Sequence, residues 1–516
     1  MGLVDMLETT AEVDDKTSAE VELVDMSKTS SSEPRPSSRS SSPSSSSEIS
    51  LTDDSSELLF RKPQSEQEKN SSLPRIRQFC LFRFLRRLWW SVFTTYRLLF
   101  LLAMVANVFP AMYVVQRKRP LFGSIVNYIL DVSDVGAFNL MVAILMRQDY
   151  IINMLFWICG CIPHCLPLMI RRPFAKIYTY GGLHSGAACC ATFWFTILSG
   201  LVVREYTSRR IYKPQVKIAT IPIFIGLWAI VLTALPRVRF FWHNIFEHTH
   251  RWAGWICIGF WWMQMAHFAN HIAHQSGPGS PGAKLTRRID FWCLLVCTIH
   301  VAQPWLRLRR LHVEVEHLSS HTLQLHFAER VSNCRIYRIA SSPLGEYHSF
   351  ASIPARNGKG ASLLVSDAGD WTRRTINNPR PYYWTRGMPT TGVLCMAQLF
   401  RKVVIITTGS GIGPCLGTIV GLSCKTTCRI LWSAPSPRQT FGEDIYSTVL
   451  DVDPKSVIID TWAERRRPDL LQLGYELYVE SGAEAVFCIS NRTLTRRLVF
   501  ELECRGVPAY GPIWDS

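Results

Sequence analysis

Six long apolar stretches follow one another between about residue 98 and residue 305. They cover residues 98–115, 135–159, 177–203, 218–235, 246–268 and 291–305. Most have the roughly 17 to 25 apolar residues that a helix needs to cross a bilayer, although the sixth is short. The pattern predicts a transmembrane domain of about six helices within residues 74–310.

The second stretch is interrupted by Arg147, Gln148 and Asp149. Charged side chains inside a bilayer are costly and usually face the interior of a bundle, so these residues could line a functional cavity. Alternatively, a membrane helix ends before them and an interfacial helix follows. The sequence leaves both interpretations open.

From residue 311 the pattern changes, and apolar positions alternate with polar ones. The segments 311–316 and 323–327 have the period of two that is typical of strands. More short strands are predicted near 334–340, 348–354 and 361–365. Closely spaced short strands predict a small antiparallel β-barrel over residues 311–400.

After residue 401 short apolar runs alternate with helical stretches. The predicted strands cover 403–407, 429–432, 457–461 and 485–489. This alternation predicts a doubly wound parallel α/β domain over residues 401–516.

The first 73 residues are rich in Ser, Glu and Asp, and residues 37–47 are nearly all Ser. Such a segment buries too little apolar surface to offset the entropy of ordering, so we expect it to be disordered. A basic stretch follows it and resembles a cytosolic flank of a membrane helix; it contains Arg75, Arg77, Arg83, Arg86 and Arg87.

The orientation follows from the charges at the other end of the bundle. Arg307, Arg309 and Arg310 lead directly into the nucleotide-type domains, which need cytosolic cofactors. Six spans place both ends on one side, so we expect a multi-pass membrane protein with cytosolic N- and C-termini. The membrane itself is not indicated.

Composition supports this interpretation. Hydrophobic residues make up 47% of the chain and charged residues 19%, whereas soluble proteins have about a quarter charged residues. The net charge of +16 comes from Lys and Arg spread along the chain, many of them flanking apolar stretches. There they anchor helices at lipid headgroups, which favours membrane lipid as a partner and argues against nucleic acid.

The glycine-rich turn after the strand 403–407 is the sharpest motif. Gly409, Gly411 and Gly413 are followed by Pro414, near which a helix is predicted to start. Glycines let the backbone approach a pyrophosphate, and a helix N-terminus supplies free N–H donors. The motif predicts nucleotide binding.

Basic residues follow the next two strands. Ser433 and Arg438 stand where a 2′-phosphate would lie, and Arg465–Arg467 add positive charge nearby. Because arginine pairs with phosphate through two hydrogen bonds, this favours NADPH over NADH. The same arginines could equally be solvated loop charges.

The glycine spacing resembles the nicotinamide motif of the ferredoxin reductase and ferric reductase/NADPH oxidase superfamily. His348, Ser349 and Phe350 resemble that superfamily's first flavin motif, and the segment with Trp371 and Thr372 is similar to its second. Arg467, in Arg467-Pro468-Asp469, resembles a nicotinamide contact. The resemblance implies a ferredoxin-reductase-like module that binds FAD and NADPH or NADH.

Other fragments resemble the C-terminal membrane part of fungal integral-membrane adenylate-forming proteins of the TmpL type. They are residues 180–186, 249–255 and 510–516, and the resemblance covers about residues 75–516. It implies a role in redox homeostasis or secondary metabolism. Two departures from the superfamily stand out: Ser349 replaces a proline, and Cys488-Ile489-Ser490 replaces Cys-Gly-Pro.

Two histidines of the predicted bundle fall at similar depth. His184 lies in the third stretch and His250 at the start of the fifth, as two axial ligands of one haem b require. Glycines 181, 182, 186 and 254 would leave room for a flat macrocycle. Alternatively, both histidines form hydrogen bonds to neighbouring groups.

Together these patterns predict a membrane oxidoreductase that passes electrons from NAD(P)H through flavin, and through one haem if it binds, to an unidentified acceptor. The departures keep a second hypothesis open: a non-catalytic membrane scaffold or redox-regulatory protein with a degenerate reductase module.

Overall fold

The computed structural model describes residues 93–117, 125–208, 214–275, 285–355, 358–422 and 426–512, with a few isolated positions besides. The tail predicted to be disordered, the basic stretch after it and the last four residues, including Trp514, lie outside the described residues.

Ten α-helices precede the first strand in the described part of the chain. They are α1 (Thr95–Ala106), α2 (Val108–Arg117), α3 (Ile125–Leu145), α4 (Asp149–Gly160), α5 (Leu168–Ala175), α6 (Gly181–Ser208), α7 (Pro214–Thr233), α8 (Pro236–Phe241), α9 (His243–Gln275) and α10 (Ile289–Ala302).

Five helical segments of the described residues are long and apolar enough to cross a membrane. They are Thr95–Gln116, which combines α1 and α2, then α3, α6 and α7, and Ile289–Arg307, which extends α10 by a 3-10 turn. The predicted fifth span, 246–268, lies in the 33-residue helix α9, which is not among the five because its many His, Trp and Gln residues lower its mean hydropathy. The sixth spanning helix stays a prediction.

The second predicted span was wrong as one continuous helix. Helix α3 starts at Ile125 and ends at Leu145, and α4 starts separately at Asp149. The alternative of two successive helices is therefore the one observed. The physical reason is a charge: Asp149 is buried and needs the partner that it finds on a strand outside the bundle.

Eight strands then form one curled antiparallel sheet. They are β1 (Arg309–His312), β2 (Glu314–Ser319), β3 (Thr322–Phe327), β4 (Arg335–Ala340), β5 (His348–Pro354), β6 (Ala361–Ser366), β7 (Tyr382–Thr385) and β8 (Thr390–Thr391). The order is β1-β7-β4-β5-β6-β3-β2, with β8 paired to β4. Helix α11 (Asp370–Asn377) follows β6. The predicted barrel is thus a half-barrel, whose inward side chains form their own core.

The chain ends in a parallel sheet with helices on both faces. Its strands are β9 (Lys402–Thr408), β10 (Thr427–Ala434), β11 (Val457–Asp460), β12 (Ala485–Ile489) and β13 (Ala509–Tyr510), in the order β11-β10-β9-β12-β13. Its helices are α12 (Ile412–Leu422), α13 (Pro437–Phe441), α14 (Glu443–Val452), α15 (Leu470–Ser481) and α16 (Arg492–Cys504). The predicted parallel α/β fold is confirmed.

The short helices α4 and α5 pack on this module. Ile152 and Phe156 of α4 belong to the same hydrophobic core as Val403 and Phe487 of the parallel sheet. The buried Arg171 of α5 pairs with Glu484 at 3.0 Å. Two short helices of the helical region therefore complete the core of the C-terminal module.

Candidate cofactor cleft

The carboxyl ends of four parallel strands meet at one edge of the sheet. Register pairs Thr408 with Ser433, and Ala434 with Asp460, while Ile489 lies beside Thr407. Ligands of open α/β sheets bind at this edge. The loops after these strands are therefore the place to look for a nucleotide site.

The structure brings the predicted glycine motif together at this edge, where each glycine has a different role. Gly409 has a φ of +51° and open space where a side chain would be. A Cβ on Gly411 would lie 2.7 Å from the Ile489 carbonyl oxygen, and one on Gly413 would lie 3.2 Å from Leu364 of the half-barrel. Only Gly409 keeps room for a ligand, whereas the other two permit close packing.

Helix α12 begins at Ile412, two residues before the predicted start at Pro414, which lies in its first turn. A Cβ on Gly417 of this helix would overlap the Ser352 carbonyl oxygen of β5. The helix that follows the glycine turn is thus pressed against the half-barrel. The glycine turn therefore lies directly beside the half-barrel, and the region between them is the candidate cofactor cleft.

The two predicted flavin motifs meet on the half-barrel side. The rings of His348 and Trp371 stack with centroids 4.4 Å apart and planes 27° apart. Phe350 lies 5.9 Å from the same indole, and Ser349 is exposed. The His348 Nε2 and Trp371 Nε1 atoms are buried without a hydrogen-bond partner among the described residues. Buried polar atoms of this kind call for a ligand or water.

The Thr372 side chain stabilises the turn at the start of α11. Its hydroxyl donates to the Gly369 carbonyl at 2.8 Å and accepts from the Ala368 N–H at 2.9 Å. A Cβ on Gly369 would meet no atom within 4 Å. The backbone at Gly369 is therefore open to a ligand, while the Thr372 hydroxyl is already engaged.

The basic residues predicted to contact a 2′-phosphate lie after β10 and β11, Arg438 on the short helix α13 and Arg467 on a loop. Arg438 forms an ion pair with Glu443 at 2.7 Å and lies over the Tyr446 ring, and it is about two-thirds exposed, at 63%. Arg467 is exposed as well, whereas Ser433 is buried in β10. Both arginines flank the carboxyl edge of the sheet, but Glu443 offsets the charge of Arg438.

The start of α9 faces the first flavin motif. Arg251 donates to the carbonyls of Leu344 and Gly345 at 3.1 and 3.3 Å. Burial lowers the pKa of His348, and the nearby carboxylates of Glu346 and Glu247 oppose that shift. The helical region therefore contributes directly to the surroundings of the cleft.

His184 and His250 come together, as predicted. Their ring centroids are 6.3 Å apart, and the His184 Nδ1–H donates to the Ala143 carbonyl at 2.8 Å when that nitrogen carries the proton. That tautomer leaves the other ring nitrogen free to bind a metal.

The expected room beside His184 is filled by helix α1. A Cβ on Gly182 would overlap the Tyr96 carbonyl oxygen, and one on Gly186 would lie 2.7 Å from the Phe100 carbonyl oxygen. These glycines are four residues apart on α6 and serve close helix packing. At Gly254 the space is open, as predicted.

Two arginines near the cleft were missed by sequence reasoning. Arg338 of β4 binds both carboxylate oxygens of Asp149, at 2.7 and 2.6 Å. Arg492 begins α16 directly after β12, and its guanidinium lies 5.5 Å from the Phe240 ring centroid. Its Nε atom is buried and has no hydrogen-bond partner among the described residues. Arg492 could have been predicted, because it directly follows a predicted strand of the parallel sheet. Arg338 could not, because only tertiary contacts bring it to Asp149.

Sequence comparisons show similarity to adenylate-forming reductases. Residues 393–516 match the family described as adenylate-forming reductase 03009, C-terminal domain. Adenylate-forming reductase 03009 of Coprinopsis cinerea is 36% identical over 438 residues, which are 84% of this chain and 41% of that protein. Adenylate-forming reductase 06235 of the same fungus is 36% identical over 439 residues, with the same shares. The chain thus spans about two fifths of the length of the curated relatives it matches.

Solved structures match about two fifths of the chain. A ferredoxin NADP+ reductase from Neisseria gonorrhoeae with bound FAD and NADP has a TM-score of 0.33 and 12% identity, over 40% of this chain and 99% of that one. An Amycolatopsis cytochrome P450 reductase has a TM-score of 0.31 and 11% identity, over 40% and 71%. The curled antiparallel sheet followed by a parallel sheet is the two-part architecture that the sequence predicted.

Proposed function

We propose that this chain is a membrane-bound oxidoreductase that takes electrons from NAD(P)H through FAD and delivers them to an acceptor in or across the membrane. The observation that carries this proposal is the shared cleft. The glycine turn and its helix contact the half-barrel, since Gly413 packs on Leu364 and Gly417 packs on Ser352. The same half-barrel carries His348 and Trp371.

The residues of the cleft suit these cofactors. His348, Phe350 and Trp371 would hold the flavin ring. The buried ring nitrogens His348 Nε2 and Trp371 Nε1 form no hydrogen bond with the described residues, although Glu346 lies 3.8 Å from the former. The flavin pyrophosphate would lie against the open backbone at Gly369 and the start of α11. The pyrophosphate of the nicotinamide cofactor would lie against Gly409 and the start of α12. When bound, FAD supplies the conversion of a hydride into single electrons.

NADPH is the proposed electron donor rather than NADH. Arg438 and Arg467 flank the edge where the adenosine ribose would lie, and a guanidinium binds a 2′-phosphate. Glu443 must release Arg438 for this contact, and exposed ion pairs of this kind are worth only about 0–1 kcal/mol.

His184 and His250 are the proposed ligands of one haem b. The imidazole rings of His184 and His250 lie with their centroids 6.3 Å apart, and each would hold the haem through a ring nitrogen. Haem, when bound, would supply transfer of single electrons. The open space at Gly254 supports this assignment, whereas α1 closes the side of Gly182.

The wider assignments belong to the same proposal. The chain is a TmpL-type integral membrane protein with both termini in the cytosol, a helical domain at 74–310, a flavin-binding domain at 311–400 and a nicotinamide-binding domain at 401–516. Five apolar helices long enough to cross a bilayer support the membrane location. Similarity to adenylate-forming reductases supports a reductase role.

The test is an absorption spectrum of the detergent-solubilised chain before and after NADPH is added. We expect a flavin band that bleaches, with a separate haem band if His184 and His250 bind iron. A colourless protein that neither retains flavin nor oxidises NAD(P)H contradicts the redox function.

One observation favours the alternative of a non-catalytic scaffold. His348 and Trp371 stack on each other, so the half-barrel wall of the cleft is lined by mutual packing of its own side chains. In that case the same spectrum shows no flavin, and Trp371→Ala only destabilises the fold. In the redox case, flavin retention depends on His348.

A further inference from the structure

An apolar groove lies where the helices meet the half-barrel. It encloses about 370 Å³. Its walls are Trp255 and Ile258 of α9, Val301 and Ala302 of α10, Trp305, and Leu344 of the half-barrel. Thr298 also borders it, but its hydroxyl donates to the Leu294 carbonyl and accepts from the Trp262 indole. The groove therefore favours a hydrocarbon chain over a polar ligand.

One end of the groove carries an arginine that forms no ion pair with the described residues. The Arg386 guanidinium lies 4.5 Å from the Trp305 ring centroid and 4.1 Å from that of Tyr347. No carboxylate of the described residues lies within 4 Å of its nitrogens. Stacking between two rings holds this cation at the groove, because aromatic faces attract guanidinium groups.

A second arginine strengthens the positive charge at this end. Arg251 binds the carbonyl of Leu344, which is itself a wall of the groove. Arg338 also lies close enough to affect Arg386, but Asp149 pairs with Arg338 and offsets its charge. Burial, together with the neighbouring cations Arg338 and Arg251, lowers the pKa of Arg386 to about 10, while Tyr347 and Asp149 oppose that shift, so Arg386 stays charged at neutral pH.

We propose that this junction binds an acidic phospholipid, with an acyl chain in the groove and the headgroup phosphate on Arg386 and Arg251. The acyl chain of such a lipid would contact the apolar walls of the groove. Its negatively charged phosphate would bind the guanidinium groups at the end of the groove. Tryptophans such as Trp255 and Trp305 favour the lipid–water boundary, and acidic lipids are attracted to arginines there. The site rests on the part of the proposed function that places the helices in a bilayer.

The test uses the full-length chain reconstituted with phosphatidylcholine alone or mixed with phosphatidylserine, followed by native mass spectrometry of the retained lipid. We expect phosphatidylserine to be retained preferentially. Arg386→Gln should reduce that retention about fivefold, the effect of removing one arginine charge near a membrane surface. Ala302→Trp fills the groove without changing its charge and should also reduce it.

Arg309→Gln is the matched control. Arg309 is half exposed on β1, and Glu329 neutralises it at 2.8 Å, so its loss should leave lipid retention unchanged. If Arg386→Gln does not fold, Ala302→Trp still tests the groove.

Three results would overturn the site. They are equal retention of phosphatidylcholine, retention unaffected by both Arg386→Gln and Ala302→Trp, and displacement of phosphatidylserine by inorganic phosphate, which would indicate a free-phosphate site. Flavin content is measured on the same samples. A colourless protein that keeps phosphatidylserine would contradict the redox function but support the lipid site, and a flavin-loaded protein without lipid preference would do the reverse.

Discussion

Gly411 shows how closely the nucleotide-type turn packs against its neighbours. A Cβ there would lie 2.6 Å from Thr407 Oγ1 and 2.7 Å from the Ile489 carbonyl oxygen. Both atoms belong to neighbouring strands of the sheet, so neither can move away cheaply. The residue is needed for the shape of the turn, whatever the turn binds.

We expect Gly411→Ala to lower the free energy of unfolding by about 1–3 kcal/mol, the usual cost of overpacking, and to raise the KM for NADPH. Gly259→Ala is the control, because a Cβ there meets no atom within 4 Å. Thermal unfolding and steady-state kinetics measure the two effects. Equal melting temperatures for the two variants would show that the turn tolerates a side chain.

His348 gives the cleft a pH-dependent stability. Burial lowers its folded-state pKa below the usual 6.5, so the unfolded chain binds more protons as the pH falls below that value. The stability contributed by neutral His348 is fully present above about pH 6.5 and is lost as the pH falls further. We expect His348→Gln to flatten this part of the curve of melting temperature against pH. The idea fails if the wild-type and variant curves have the same slope between pH 5 and 6.5, a window set by the usual histidine pKa of about 6.5.

At the scale of elements, helix α1 depends on two glycines of α6. Gly182 and Gly186 let the backbones of the two helices touch at Tyr96 and Phe100. Within a bilayer such contacts supply packing energy that the hydrophobic effect does not.

Gly182→Ala should therefore separate α1 from α6 and lower the melting temperature of the solubilised chain. Gly200→Ala lies on the same helix where a Cβ meets no atom within 4 Å, and it should have no such effect. The hydrogen bond between Tyr96 and Ser185, 2.6 Å long, gives a second readout, since tyrosine fluorescence should change only for Gly182→Ala. If both variants melt alike, α1 is not held by this contact.

At the scale of the whole molecule, Asp149 joins the helices to the C-terminal module. It is 3% exposed, pairs with Arg338 of the half-barrel and accepts the Met388 N–H. Removing one partner of a buried ion pair leaves the other charge uncompensated.

We expect Asp149→Asn to destabilise the chain by about 3 kcal/mol, and hydrogen exchange should rise in both α4 and β4. Asp367→Asn is the control: its pair with the 61% exposed Arg373 is worth about 0–1 kcal/mol. Exchange that rises in α4 alone would show that the module is held by other contacts.

The sequence by itself determined the succession of architectures. Apolar run length indicated membrane helices, the period of two at 311–327 indicated a strand-rich domain, and strand–helix alternation indicated the parallel sheet. These signals are local, because they depend on the spacing of apolar residues along one element. The glycine turn at Gly409 was predictable for the same reason.

Only the tertiary structure decided what these elements touch. Gly182 serves close helix packing and not a cofactor cavity. Asp149 lies at the start of a separate helix and pairs with Arg338, and Trp371 stacks on His348. Each outcome joins residues that are many positions apart, and the free energy of such a contact depends on both partners. The spacing of residues along the chain identifies one partner of such a contact but not the other.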